Sequence, residues 1–122
     1  MKKPYILSID DDPQVLSAVE RDLHSYYAKD YRVVSLNLGR IALDFLRKIQ
    51  AEQGTVALFL VDQRMPQMTG VEFLKEARLL FPAAMRVLLT AYADTEAAVE
   101  AINDVRLHYY MLKPWDLSLI HI

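Results

Sequence analysis

Short runs of apolar, often β-branched residues alternate along the chain with longer stretches in which apolar side chains recur every three to four positions. That switching predicts a βα repeat folded around a parallel sheet. Five strands are expected, at residues 5–9, 32–36, 57–61, 86–89 and 108–112. Between them, Val15, Leu16, Val19 and Leu23 fall at helical spacing, as do Ile41, Ala42, Phe45, Leu46 and Ile49, then Val71, Phe73, Leu74, Ala77 and Leu80. Ala97, Ala98, Ala101, Ile102 and Val105 predict a fourth, alanine-rich and lightly anchored helix. These apolar faces are expected to cover the sheet. Only residues 116–122 remain for a fifth helix, barely two turns, so the last helix is expected to be truncated. Local start signals agree: Asp12-Pro13 offers an N-cap with proline at the first helical position, and Thr69-x-x-Glu72 is a capping-box pattern. Asp94 and Thr95 could cap the fourth helix.

Composition narrows the class without changing this picture. At 122 residues the chain is expected to be one domain, with any output domain outside this sequence. Its 53% hydrophobic and 25% charged residues suit a folded globular chain. A net charge of -2, without clustered Lys and Arg, argues against direct nucleic acid binding. The longest clean apolar run, Val56–Val61, is too short to span a bilayer, and the N-terminal residues carry no apolar signal segment. A cytoplasmic location is the default expectation. Zero cysteines exclude disulfide and thiol chemistry.

In a doubly wound sheet the ligand site lies beyond the carboxyl ends of the strands. The first predicted strand ends in Asp10-Asp11-Asp12, the third in Asp62, the fourth in Thr90-Ala91 and the fifth in Lys113-Pro114. Brought together bare, Asp10, Asp11 and Asp62 would repel one another and resist ionisation, and a hard divalent cation offsets that. Magnesium suits best, since it takes a few carboxylate oxygens and keeps positions for water and a phosphate oxygen. A carboxylate so placed can act as a nucleophile toward a phosphoryl donor and form an aspartyl phosphate. Lys113 then supplies a compact positive charge for the phosphoryl oxygens, and Thr90 a hydroxyl donor. Taken singly, each residue has an ordinary reading: Asp12 as a helix cap, Lys113-Pro114 as a surface turn, Thr90 as a satisfied hydroxyl, Asp62 as a loop residue. Their order, each at the end of a successive strand, sets them apart.

At this point the sequence resembles the response-regulator receiver family over nearly its whole length. Ser8-Ile9-Asp10-Asp11-Asp12-Pro13 resembles the family's acidic pair after the first strand, and residues 61–70, Val-Asp-Gln-Arg-Met-Pro-Gln-Met-Thr-Gly, its phosphorylation loop. Leu89-Thr90-Ala91 and Tyr110-Met111-Leu112-Lys113-Pro114 supply the remaining signatures. The resemblance implies an α/β, flavodoxin-like, three-layer αβα fold with a five-stranded parallel sheet in the order 2-1-3-4-5. It implies that Asp62 accepts a phosphoryl group from a histidine kinase or phosphotransfer protein, with Thr90 and Lys113 assisting. Magnesium would be held by Asp62, by Asp11 directly, by Asp10 directly or through water, and by the backbone carbonyl of Arg64. A cis peptide is implied between Lys113 and Pro114, while Pro66 and Gly70 shape the loop into the third helix.

The resemblance also pairs Thr90 with Tyr110 as a switch. As phosphate draws the threonine hydroxyl inward, the ring turns inward and alters the face of the fourth helix, fifth strand and fifth helix, which could also support a homodimer. Arg64 and Tyr92 occupy positions that tune phosphate lifetime, and their bulk predicts slow hydrolysis. Such a domain is not an enzyme beyond its own aspartyl phosphorylation and dephosphorylation. Three rival readings share parts of this pattern. A magnesium-dependent phosphohydrolase would need a second aspartate where Arg64 stands, and a nucleotide-binding module would need a Gly-rich loop after a strand. The third is a receiver-like interaction module that is never phosphorylated.

Overall fold

The third expected strand is the most apolar, and it lies at the centre of the sheet. In the computed structural model β1 (Tyr5–Ile9), β2 (Arg32–Leu36), β3 (Val56–Val61), β4 (Met85–Thr90) and β5 (Tyr109–Leu112) form one parallel sheet in the order β2-β1-β3-β4-β5. The structure describes residues 2–90, 99, 103–113, 115, 117 and 120, with Thr90 described by its backbone alone. Between the strands run α1 (Pro13–Tyr27), α2 (Gly39–Ala51) and α3 (Gly70–Leu80). The fourth and fifth helices expected from sequence, apart from isolated positions such as Val105, lie outside the described residues.

Because successive strand residues point to opposite faces, the central strands feed two cores. Leu7, Ile9, Phe59, Val61 and Leu88 pack on the side covered by α2 and α3, against Leu46, Ile49, Phe73 and Leu74. Ile6, Leu58, Leu60, Val87 and Leu89 point the other way, against Val19 and Leu23 of α1 and against Leu117 and Ile120. A sheet buried on both faces explains why these strands read as apolar runs rather than alternating ones. The helix periodicity is right for α1 and α3 and one position out for α2. There Ile41 is 46% exposed, and Leu43 is buried with Ala42, Leu46 and Ile49. Ala42, Phe45, Leu46 and Ile49 face the core as expected, and a 100° step per residue places Leu43 on the same stripe and turns Ile41 to the far side.

Capping follows sequence. Asp12 accepts from the backbone N–H of Gln14 and Val15 ahead of Pro13, and Thr69 and Glu72 form a reciprocal capping box at α3. At the opposite end of the sheet from the acidic residues, the buried side chain of Arg86 donates to the carbonyls of Pro82, Ala84, Val105 and Arg106. One guanidinium thus ties the segment entering β4 to the one entering β5. Its backbone N–H donates to His108 Nδ1 at 2.9 Å, which makes that nitrogen the unprotonated one. Burial first, then the nearby Arg86 charge, holds the His108 imidazole below its ordinary pKa.

Candidate functional site

Register brings the chemistry together. Ile9 pairs with Val61, so the residues leaving β1 and β3 emerge side by side, and the Asp62 N–H continues the ladder onto the Ile9 carbonyl at 2.9 Å. On the other flank Thr90 pairs with Leu112, which delivers Lys113 to the same edge. One carboxylate oxygen from each of Asp10, Asp11 and Asp62 lies within 4.8 Å of the others, with Asp10 and Asp62 buried and Asp11 exposed. Lys113 Nζ donates to Asp10 Oδ2 at 3.0 Å and to Asp62 Oδ1 at 3.4 Å. The other Asp10 oxygen accepts from the Asp12 backbone N–H at 2.9 Å, which fixes its carboxylate plane.

Burial, reinforced by the negative charge of Asp10 and opposed by Lys113, pushes the Asp62 carboxyl up to about 6. Burial alone would lower the Lys113 ammonium. Its hydrogen bonds and charge contacts with Asp10 and Asp62 outweigh that and raise it. The lysine therefore stays charged, and the aspartate beside it is strained by its own charge. Three convergent carboxylates fit a hard divalent cation, which takes oxygen ligands and relieves that strain.

The loop after Asp62 is built to hold it. Gly70 opens α3 so close to Asp62 that a Cβ there would lie 2.4 Å from the Asp62 carbonyl oxygen, so only glycine fits. Gln67 adopts a positive φ of 68°, and a bond of 2.8 Å from the Met68 N–H to the Pro66 carbonyl closes the tight turn around it. Gln63 uses both of its oxygens: its backbone carbonyl accepts from Gly70 N–H and its side chain Oε1 from Val71 N–H, each at 3.0 Å. No local sequence rule singles out Gln63, because the helix it caps starts seven residues later in the chain and only the folded loop brings the two together.

Of the remaining predicted site residues, Arg64 is exposed in this loop, and Tyr110 is half-buried on β5 against the core shared with α2 and α3. The Thr90 side chain, Tyr92, Pro114 and the Lys113–Pro114 peptide lie outside the described residues.

A five-stranded doubly wound sheet with this acidic edge defines a class, and comparison with known proteins gives the family. The family model described as response regulator receiver domain matches residues 6–122, and the chain belongs to that family. It is 34% identical over 93% of its length to the hydrogenase transcriptional regulatory protein HoxA of Cupriavidus necator, and 36% identical over 93% to the transcriptional regulatory protein ZraR of Escherichia coli. It spans 22% and 24% of those two proteins, about a quarter of their length. The crystal structure of a CheY-like response regulator receiver domain protein from Methanospirillum hungatei is similar at a TM-score of 0.79 with 27% identity, covering 94% of this chain and 85% of that one. The chain is thus a signalling receiver domain of two-component systems. None of its helices, among the described residues, is long and apolar enough to cross a membrane.

Proposed function

We propose that this domain is a phosphoacceptor switch in which Asp62 takes a phosphoryl group from a histidine kinase or a phosphotransfer protein. The observation that carries the reading is the convergence of Asp10, Asp11 and Asp62 with Lys113 bonded to two of them. An Asp62 oxygen attacks phosphorus in line, a new O–P bond forms, and the bond to the donor breaks with its electron pair leaving on the donor. Lys113 starts as the counter-ion of Asp10 and Asp62 and meets the incoming phosphoryl oxygens, where its compact charge offsets theirs. Thr90, at the end of β4, would donate its hydroxyl to one of those oxygens. Asp10, Asp11, Asp62 and the Arg64 backbone carbonyl would hold magnesium, which when bound offsets carboxylate and phosphoryl charge together. The Lys113–Pro114 peptide would be cis.

The output follows from Thr90 and Tyr110, which couple the modified aspartate to the face formed by the fourth helix, β5 and the fifth helix. Val99 and Leu112, from segments that would form that face, are 52% and 48% exposed, which suits a partner or a second copy. A cytoplasmic domain without nucleic acid contacts of its own, acting on an output beyond this sequence, fits both the charge and the relatives. Arg64 and Tyr92 shield the acyl phosphate from water. Arg64→Ala combined with Tyr92→Ala is expected to hasten phosphate loss, followed as the decay of the modified mass.

Intact-mass analysis after incubation with a small-molecule phosphodonor tests the central reading, with and without magnesium, on this chain and on Asp62→Ala. One magnesium-dependent phosphoryl adduct, absent in the variant, is expected. No adduct under any condition would make this a receiver-shaped binding module.

A further inference from the structure

Lys113 must keep its ammonium between two carboxylates from the end of a flexible four-carbon stem, and its strand gives little help. β5 is four residues long, lies at the edge of the sheet, and makes its last rung between Leu112 and Thr90. Two residues beyond Lys113 stands the chain's single tryptophan. The Trp115 indole Nε1–H donates to Asp22 Oδ2 of α1 at 2.7 Å, and the half-buried ring packs on the core that holds Ile6, Val19 and Leu23. An indole offers one donor and no acceptor, and a short bond from it to a carboxylate is charge-assisted and directional. Lys113 is therefore bracketed, by the β4–β5 ladder before it and by the Asp22–Trp115 bond after it.

We propose that Asp22 and Trp115 are positioning residues for the phosphoacceptor site: their bond fixes the chain leaving β5, so that Lys113 Nζ stays between Asp10 and Asp62. The inference rests on the reading of Asp62 as phosphoacceptor. Neither residue touches the reacting atoms. Lys113 repels a bound cation and attracts a phosphoryl-like anion, so loosening it has an asymmetric effect. The carboxylates still take magnesium as well as before or better, while capture of the anion weakens. General damage to the sheet edge would displace the carboxylates and weaken both.

The test is titration of magnesium alone, followed by calorimetry, then of beryllofluoride at saturating magnesium, followed by 19F NMR, so that neither readout depends on the tryptophan being changed. Wild type is compared with Asp22→Ala, Asp22→Asn and Trp115→Phe. Asp22→Ala and Trp115→Phe are expected to bind beryllofluoride about tenfold more weakly, the scale of one charge-assisted hydrogen bond, with magnesium affinity equal or higher. Asp22→Asn keeps an acceptor for the indole and is expected to recover most of the loss. Should Asp22→Ala fail to fold, Trp115→Phe, which retains an aromatic ring in the same packing, decides alone. Unchanged beryllofluoride affinity, a parallel loss of both ions, or no recovery in Asp22→Asn overturns the positioning role. Wild type that takes up neither ion overturns the phosphoacceptor reading, and this inference with it.

Discussion

Asp62 is held in a state that opposes its own charge, and that has a measurable cost. Its carboxyl is raised from 3.8 to about 6 by burial first and by Asp10 second. The folded chain therefore binds a proton more tightly than the unfolded one, and between about pH 4 and 6 the Asp62 contribution to stability falls as pH rises. At pH 7 without metal, Asp62→Asn is expected to be more stable than wild type by about 2–3 kcal/mol, a shift of about two units at 1.36 kcal/mol each. The difference should shrink toward zero below pH 4. Urea unfolding across that range measures it, and a pH-independent difference would mean that the charge of Asp62 is not strained. At this scale the convergence of Asp10, Asp11, Asp62 and Lys113 was legible in the sequence, because each lies within two residues of the end of a strand that pattern alone locates. Gln63 and Asp22 were not legible, since their roles depend on partners brought close only by the fold.

The elements next to the site are shaped by backbone contacts more than by side chains. Gly70→Ala would force a methyl group against the Asp62 carbonyl oxygen and against Leu88 Cδ1, at 2.4 and 2.8 Å. Overpacking of this kind is expected to cost about 2–3 kcal/mol, read as a lowered denaturation midpoint. The variant should also phosphorylate poorly, since the strain falls on the acceptor's own peptide. The starts of α1 and α3 were legible because caps are local: Asp12 and Thr69 bond residues two or three positions away, whereas α2 starts after Leu38 without a side-chain cap. In α2 only Ile41 was misplaced and Leu43 missed, because local apolar density does not say which side chains meet a sheet.

Strand order depends on contacts no single segment encodes, so it came from family resemblance, and the model bears it out. Since the unfolded chain does not hold Asp62 against the distant pair Asp10 and Asp11, magnesium should bind the native state alone and stabilise it by about 2.7 kcal/mol at a hundredfold excess over Kd. Thermal melts should show this rise in wild type and lose most of it in Asp10→Ala. Arg86, meanwhile, clamps the far end of the sheet between β4 and β5 through four carbonyls. Beside Asp62, the contact that excludes a methyl group at Gly70 acts as a mechanical stop. If Asp62 takes the phosphoryl group as proposed, its peptide has no room to recoil toward α3. The site is stiff on that flank, so a displacement started at Asp62 is turned away from α3.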